Sequence, residues 1–210
     1  YFFVVLFFFL DNENEWFFNP ETKDLYLYLP DGLDPNELEI RGKVQSYAFK
    51  ITNSDYVQLK NIDFFSTTFS FINSDHGLVE SCNLFYPSCY KRMLGIVDTP
   101  PEMSIFSSSS NSKVFMSAFR FTDGSALEMY SGNNTIEDCY FYHIDYTATD
   151  LSGLMTTIQM GGSNNVFKNN TMHKLGASAT LNPGNEALIE FNDMSDSGYI
   201  QSDGALIQCM

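Results

Sequence analysis

The chain has 210 residues, 44% of them hydrophobic and 16% aromatic, with twenty phenylalanines and a formal net charge of −15. That hydrophobic share excludes a disordered chain and fits one elongated domain with a continuous core. The 26 acidic residues against 11 basic ones exclude nucleic acid as a partner, because binding phosphates requires Lys and Arg.

The chain opens on ten apolar residues, Tyr1 to Leu10. Ten residues cannot span a bilayer, so no membrane span is expected. The stretch lacks the basic flank and small-residue cleavage site of a secretory signal, and is predicted to be an entry strand. The missing initiator Met and an end inside a repeat together predict a fragment, truncated at the C-terminus.

Residues 11–31 are predicted as a hairpin. Glu15-Trp16-Phe17-Phe18 and Leu25-Tyr26-Leu27-Tyr28-Leu29 flank the turn Asn19 to Asp24. The alternation of Leu and Tyr suits a cap over the open end of stacked repeats. Trp16 reads as packing in a Phe-rich strand. Residues 30–37 carry turn chemistry and act as a linker. The predicted organisation is therefore 1–45 for strand, hairpin cap and linker, and 46–210 for the repeats.

The repeat is clearest in Asn133-Asn134-Thr135-Ile136-Glu137-Asp138-Cys139-Tyr140-Phe141 and returns at Asn164 to Met172. Leu59, Val79, Val114, Ile136, Phe167 and Ile189 serve as anchors, separated by 20, 35, 22, 31 and 22 residues. Five positions after each stands an apolar residue: Phe64, Leu84, Phe119, Phe141, Met172 and Met194. Three positions after stand Ile62, Cys82, Ser117, Cys139, Asn170 and Asn192, most of them small or amide side chains suited to an inward ladder at a bend. A second strand precedes the later anchors, in Ala126 to Met129, Thr157 to Met160 and Ala179 to Leu181, with a last copy at Leu206 to Cys209. Gly, Asn and Ser turns follow it, so each coil holds at least two short strands. Repeats of this length bury their apolar face only by stacking on neighbours.

On the NNTI-x-x-C-x-F copy at 133–141, the Asn169-Asn170 step and the run at 124–129, the chain resembles a right-handed parallel β-helix of the pectin-lyase-like superfamily. The resemblance covers roughly residues 46–210 and implies an all-β solenoid. It implies a carbohydrate-active protein that acts on or binds a polysaccharide, as a lyase or glycoside hydrolase. It equally admits a noncatalytic surface, adhesion or structural protein, since one fold hosts many functions. An extracellular or cell-surface location accompanies either. The local signatures of polygalacturonases and pectate lyases are missing, so no catalytic residue is transferred from the family.

Candidate chemistry comes from the register. The two long intervals place insertions within Pro87–Lys113 and Tyr146–Leu154, at one turn of alternate coils. Two loops rising from one face would wall a groove. Its expected floor is Arg120, Asp123, Glu128, His143 and Asp145. Asp123 and Asp145 each stand nine residues after an anchor. They would stack on adjacent coils, sharing a proton as an acid/base pair or holding calcium. His143, Lys91 and Arg92 are the candidate bases and enolate stabilisers of a lyase. Arg120, Glu128 and Gln159 are candidate substrate contacts, Glu128 and Gln159 at equivalent strand positions. His76 and His173 have no acidic partner in this register. Cys82 and Cys139, two coils apart in one column, are about 10 Å from each other and are predicted to be free, buried thiols.

Overall fold

The structure is a computed structural model. It describes residues 10–13, 15–88, 102–122, 124–145, 156–177, 179–200 and 204–209, and the backbone of 3–4. Asp123, Lys91, Arg92 and Cys89 lie outside the described residues. The chain divides into two compact units, Tyr1–Gly42 and Lys43–Met210.

In the first unit, β1 (Phe3–Val4) pairs in parallel with β2 (Glu15–Phe18), and β2 pairs antiparallel with β3 (Leu25–Tyr28). The β2–β3 hairpin is the predicted one. Asn19 closes its turn, accepting from the backbone N–H of Glu21 at 2.9 Å.

The second unit is a right-handed parallel β-helix whose described residues include six coils of three strands each, with Ile207 bridging onto the sixth at Leu181. The first coil is β4 (Tyr47–Thr52), β5 (Gln58–Lys60) and β6 (Asp63–Phe65). The second is β7 (Thr68–Ile72), β8 (Leu78–Glu80) and β9 (Asn83–Phe85). The third is β10 (Ser104–Ser107), β11 (Lys113–Phe115) and β12 (Ala118–Arg120). The fourth is β13 (Leu127–Met129), β14 (Thr135–Glu137) and β15 (Tyr140–Ile144). The fifth is β16 (Thr156–Met160), β17 (Val166–Lys168) and β18 (Thr171–Leu175). The sixth is β19 (Ala179–Asn182), β20 (Leu188–Glu190) and β21 (Asp193–Ser195). Like strands of successive coils form three parallel six-stranded sheets: the first from β4 to β19, the second from β5 to β20, the third from β6 to β21.

The register follows the anchors. Leu59, Val79, Val114, Ile136, Phe167 and Ile189 are successive Cα partners in the second sheet. Phe64, Leu84, Phe119, Phe141, Met172 and Met194 are successive partners in the third. Both columns point into the core, and Phe119 stacks on Phe141 with centroids 5.1 Å apart. The burial of these columns, rather than strand propensity, sets the pairing, since a one-residue slip would expose every one of them.

Short strands demand sharp corners. At three fixed offsets from every anchor the backbone is left-handed, with φ between 48° and 61°. Asn61, Asp138 and Asn169 suit that conformation, whereas Met116, Tyr86 and Phe121 strain it by roughly 1–3 kcal/mol each. The geometry is held because each corner N–H donates to the next coil, as from Met116 to the Glu137 carbonyl at 3.1 Å. Inside the corners run polar ladders. Cys139 N–H donates to Asn170 Oδ1 at 2.9 Å, and Asn170 N–H donates to Asn192 Oδ1 at 2.9 Å. A parallel ladder, not anticipated from the sequence, links Ser112, Asn134 and Asn165 in the same way at the preceding corner.

Cys82 and Cys139 are free and buried, and Ser117 lies between them in the column, accepting from the Cys82 N–H at 3.1 Å. Burial pushes the Cys139 thiol up to about 12, and raises that of Cys82 as well. In the folded protein both should resist thiol reagents at neutral pH, while exposed Cys209 reacts at once. Peptide mapping after brief alkylation checks this. Labelling of Cys139 as fast as Cys209 would contradict the burial.

Candidate polysaccharide-binding faces

The two long intervals join β9 to β10 and β15 to β16, so both lead from the third sheet to the first. On the first sheet, the outward row of the central coils reads Ile105, Glu128, Gln159 and Asn182. Asn182 Nδ2 donates to Gln159 Oε1 at 3.3 Å.

Glu128 is half-buried. Desolvation raises its carboxyl above the ordinary value, with a hydrogen bond from Tyr130 opposing the shift. Tyr130, two residues on and 47% exposed, shares the outward side of the strand. Its phenol is raised by burial first and by Glu128 second. Its flanks are small: its N–H donates to the Phe106 carbonyl, beside Ser107, and Gly161 lies under its other side. A Cβ at Gly161 would stand 3.3 Å from Tyr130 Cα and 3.6 Å from Cδ1. Half-buried Tyr47 on β4 is raised by burial, then by the charges of Glu102 and Glu128, so two carboxylates act on one phenol. Tyr130, Tyr47 and Glu102 carry no sequence motif. Their grouping depends on contacts between coils separated by the long intervals.

The expected groove floor is split by the fold. Glu128 is on the first sheet, whereas Arg120 and His143 are on the third. Asp145 is fully buried at the corner after β15, its N–H donating to Thr122 Oγ1 at 3.2 Å. The proposed pairing of Asp145 with Asp123 falls outside the described residues. Among the described residues, no group of three His, Cys, Asp or Glu side chains is placed to hold a metal ion. Nor is any helix among them long and apolar enough to cross a membrane.

The third sheet presents a different surface. Its outward row runs Phe65, Phe85, Arg120, Tyr142, His173 and Ser195. The corner column beside it holds Ser66, Tyr86, Phe121, His143, Lys174 and Asp196. The Arg120 guanidinium sits 5.2 Å from the Phe85 ring and 5.3 Å from that of Tyr140. Tyr142 stacks against Tyr140 and His173, each at 5.9 Å. Burial and then Lys174 lower the His143 imidazole, which favours its neutral form. His173 does have an acidic neighbour, contrary to the register argument: Asp196 Oδ2 is 3.1 Å from Nδ1. Asp196 stands one position further along the next coil and reaches across the corner.

No protein-family model matches the chain, no curated protein matches it significantly, and no solved structure matches it significantly.

Proposed function

We propose that the chain is a carbohydrate-active β-helix protein of the pectin-lyase-like kind, working outside the cell on a polysaccharide laid across its first sheet. The observation that carries this reading is the Glu128–Tyr130 pair beside the Gln159–Asn182 amide row. An exposed aromatic ring with small neighbours supports a sugar face, amides bind hydroxyls, and a carboxyl raised by desolvation keeps a proton to donate. In hydrolysis Glu128 protonates the glycosidic oxygen as the C–O bond breaks, and water adds at the sugar carbon. In elimination a base removes the proton α to a uronate carboxylate, and Glu128 protonates the leaving oxygen. Glu102, two residues before β10, is a candidate for the complementary role, as are Asp123, Lys91 and Arg92 from the sequence. Calcium enters only through Asp123 and Asp145.

The test is a polysaccharide panel with and without calcium, reading reducing ends for hydrolysis and ultraviolet-absorbing unsaturated ends for elimination. Turnover in the parent and its loss in Glu128→Gln supports the reading. Binding without turnover in either protein assigns a noncatalytic role. A panel with neither binding nor turnover rejects it.

A further inference from the structure

The third sheet carries a feature the first-sheet reading does not use. From β9 to β18, four consecutive coils place no carboxylate at an outward strand position or at the corner position that follows, and Asp138 is the one acid at the corner that leads into these strands. The chain as a whole has 26 acidic residues, and the neighbouring second sheet alternates charges instead, with Lys113 and Lys168 both bound to Glu137 at 2.6 and 3.1 Å. Acids return at the ends of the third sheet, at Asp63, Asp193 and Asp196, the last with Oδ2 3.1 Å from His173 Nδ1. Arg120 stands in the middle of the acid-free row. It lies against the rings of Phe85 and Tyr140, and its Nη1 is 3.5 Å from Asn83 Oδ1. No carboxylate pairs with it among the described residues. Rings on both sides fix the guanidinium plane and leave N–H donors for an outside anion.

We infer that this face is a second binding surface, and that its ligand is an anionic polysaccharide chain running along the solenoid axis. Charge complementarity selects the sign of the ligand, because Arg120 stands on this row without a paired carboxylate among the described residues of a chain that carries a net charge of −15. The aromatic row selects a sugar polymer over a small anion. Phe85, Arg120, Tyr142 and His173 follow one another coil by coil, at a spacing of about 4.8 Å, so a sugar chain along the axis meets a ring, the guanidinium and two further rings in turn. Arg120 then forms a paired hydrogen bond with one carboxylate or sulfate of the chain. This surface is separate from the Glu128 face and does not depend on its chemistry.

The experiment measures binding of the full chain to alginate in the presence of a chelator, with dextran as the uncharged polymer and glucuronate as the single sugar. Alginate should bind with an affinity that falls with added salt, and dextran at least tenfold more weakly. Arg120→Gln should weaken alginate at least tenfold, Arg120→Lys less, and Tyr142→Ala by a similar factor, with thermal unfolding confirming that each variant is folded. Glu128→Gln should bind alginate through this face as the parent does. Equal affinity in the parent and Arg120→Gln would overturn the inference, as would dextran binding as tightly as alginate. If Tyr130→Ala alone loses alginate, the polymer lies on the first sheet and only this inference fails. Glucuronate matching alginate would reduce the face to a simple anion site. Arg120-dependent capture by phosphatidylserine vesicles without alginate binding would assign the face to a membrane and reject the glycan.

Discussion

Glu128→Gln is expected to lower turnover by about 10²–10⁴-fold while leaving polysaccharide binding within a few-fold of the parent. The substitution keeps the size and the hydrogen bonds of the side chain and removes only the proton it can give. The carboxyl is raised by desolvation, so an acid role predicts activity that falls on the alkaline side, past that raised value. Stability should move the other way. A carboxyl whose folded pKa lies above its unfolded value binds protons more tightly in the folded state. Its contribution is therefore present at low pH, and is lost as pH rises from the ordinary carboxylate range through the folded value. Gln cannot ionise, so the variant should melt above the parent at neutral pH and converge on it in acid. Lost turnover with gained thermal stability is the signature of a functional group held in a costly environment. A variant with full turnover, or one that melts lower at neutral pH, would show that Glu128 is a structural side chain.

The sequence made the coils legible because stacking forces one residue type to recur at one place. The columns through Val114 and Phe119 could be found by offset alone, and so could the thiol and amide column through Cys139 and Asn170. The Asn134 and Asn165 ladder was present as two identical amides two residues before their anchors, but the flanking Asn133 and Asn164 masked which of each pair turns inward. The corner column through Tyr86, Phe121 and His143 left no compositional trace, because the conformation is imposed by inter-coil hydrogen bonds rather than by residue preference.

The site was less legible for a geometric reason. An offset from an anchor locates a residue on its coil but not on a sheet face. Between Arg120 and Glu128 the chain turns the corner from the third sheet to the first, so neighbours along the chain face different directions. The register and the two insertions put Arg120 and Glu128 on one groove floor, and the fold divides them between two surfaces. Glu128 and Gln159, in contrast, share one strand position, and the structure pairs them directly.

Phe141→Ala is expected to destabilise the β-helix by about 3–5 kcal/mol, the cost of deleting a fully buried aromatic side chain. Phe141 lies between Phe119 and Met172 in the third-sheet column, so the cavity touches three coils. In a solenoid each coil is held almost entirely by its two neighbours, and weakening one central interface uncouples the coils on either side. Denaturant unfolding should therefore show an earlier and broader transition, with the flanking coils melting at different concentrations. Met194→Ala tests the same column where it is only half-buried, on the sixth coil. There the loss should be roughly 1–2 kcal/mol, with the transition still cooperative, since a half-buried side chain leaves a smaller cavity. If the two variants cost the same, or Phe141→Ala moves the midpoint by less than Met194→Ala does, the continuous inward stack is not what holds the coils together.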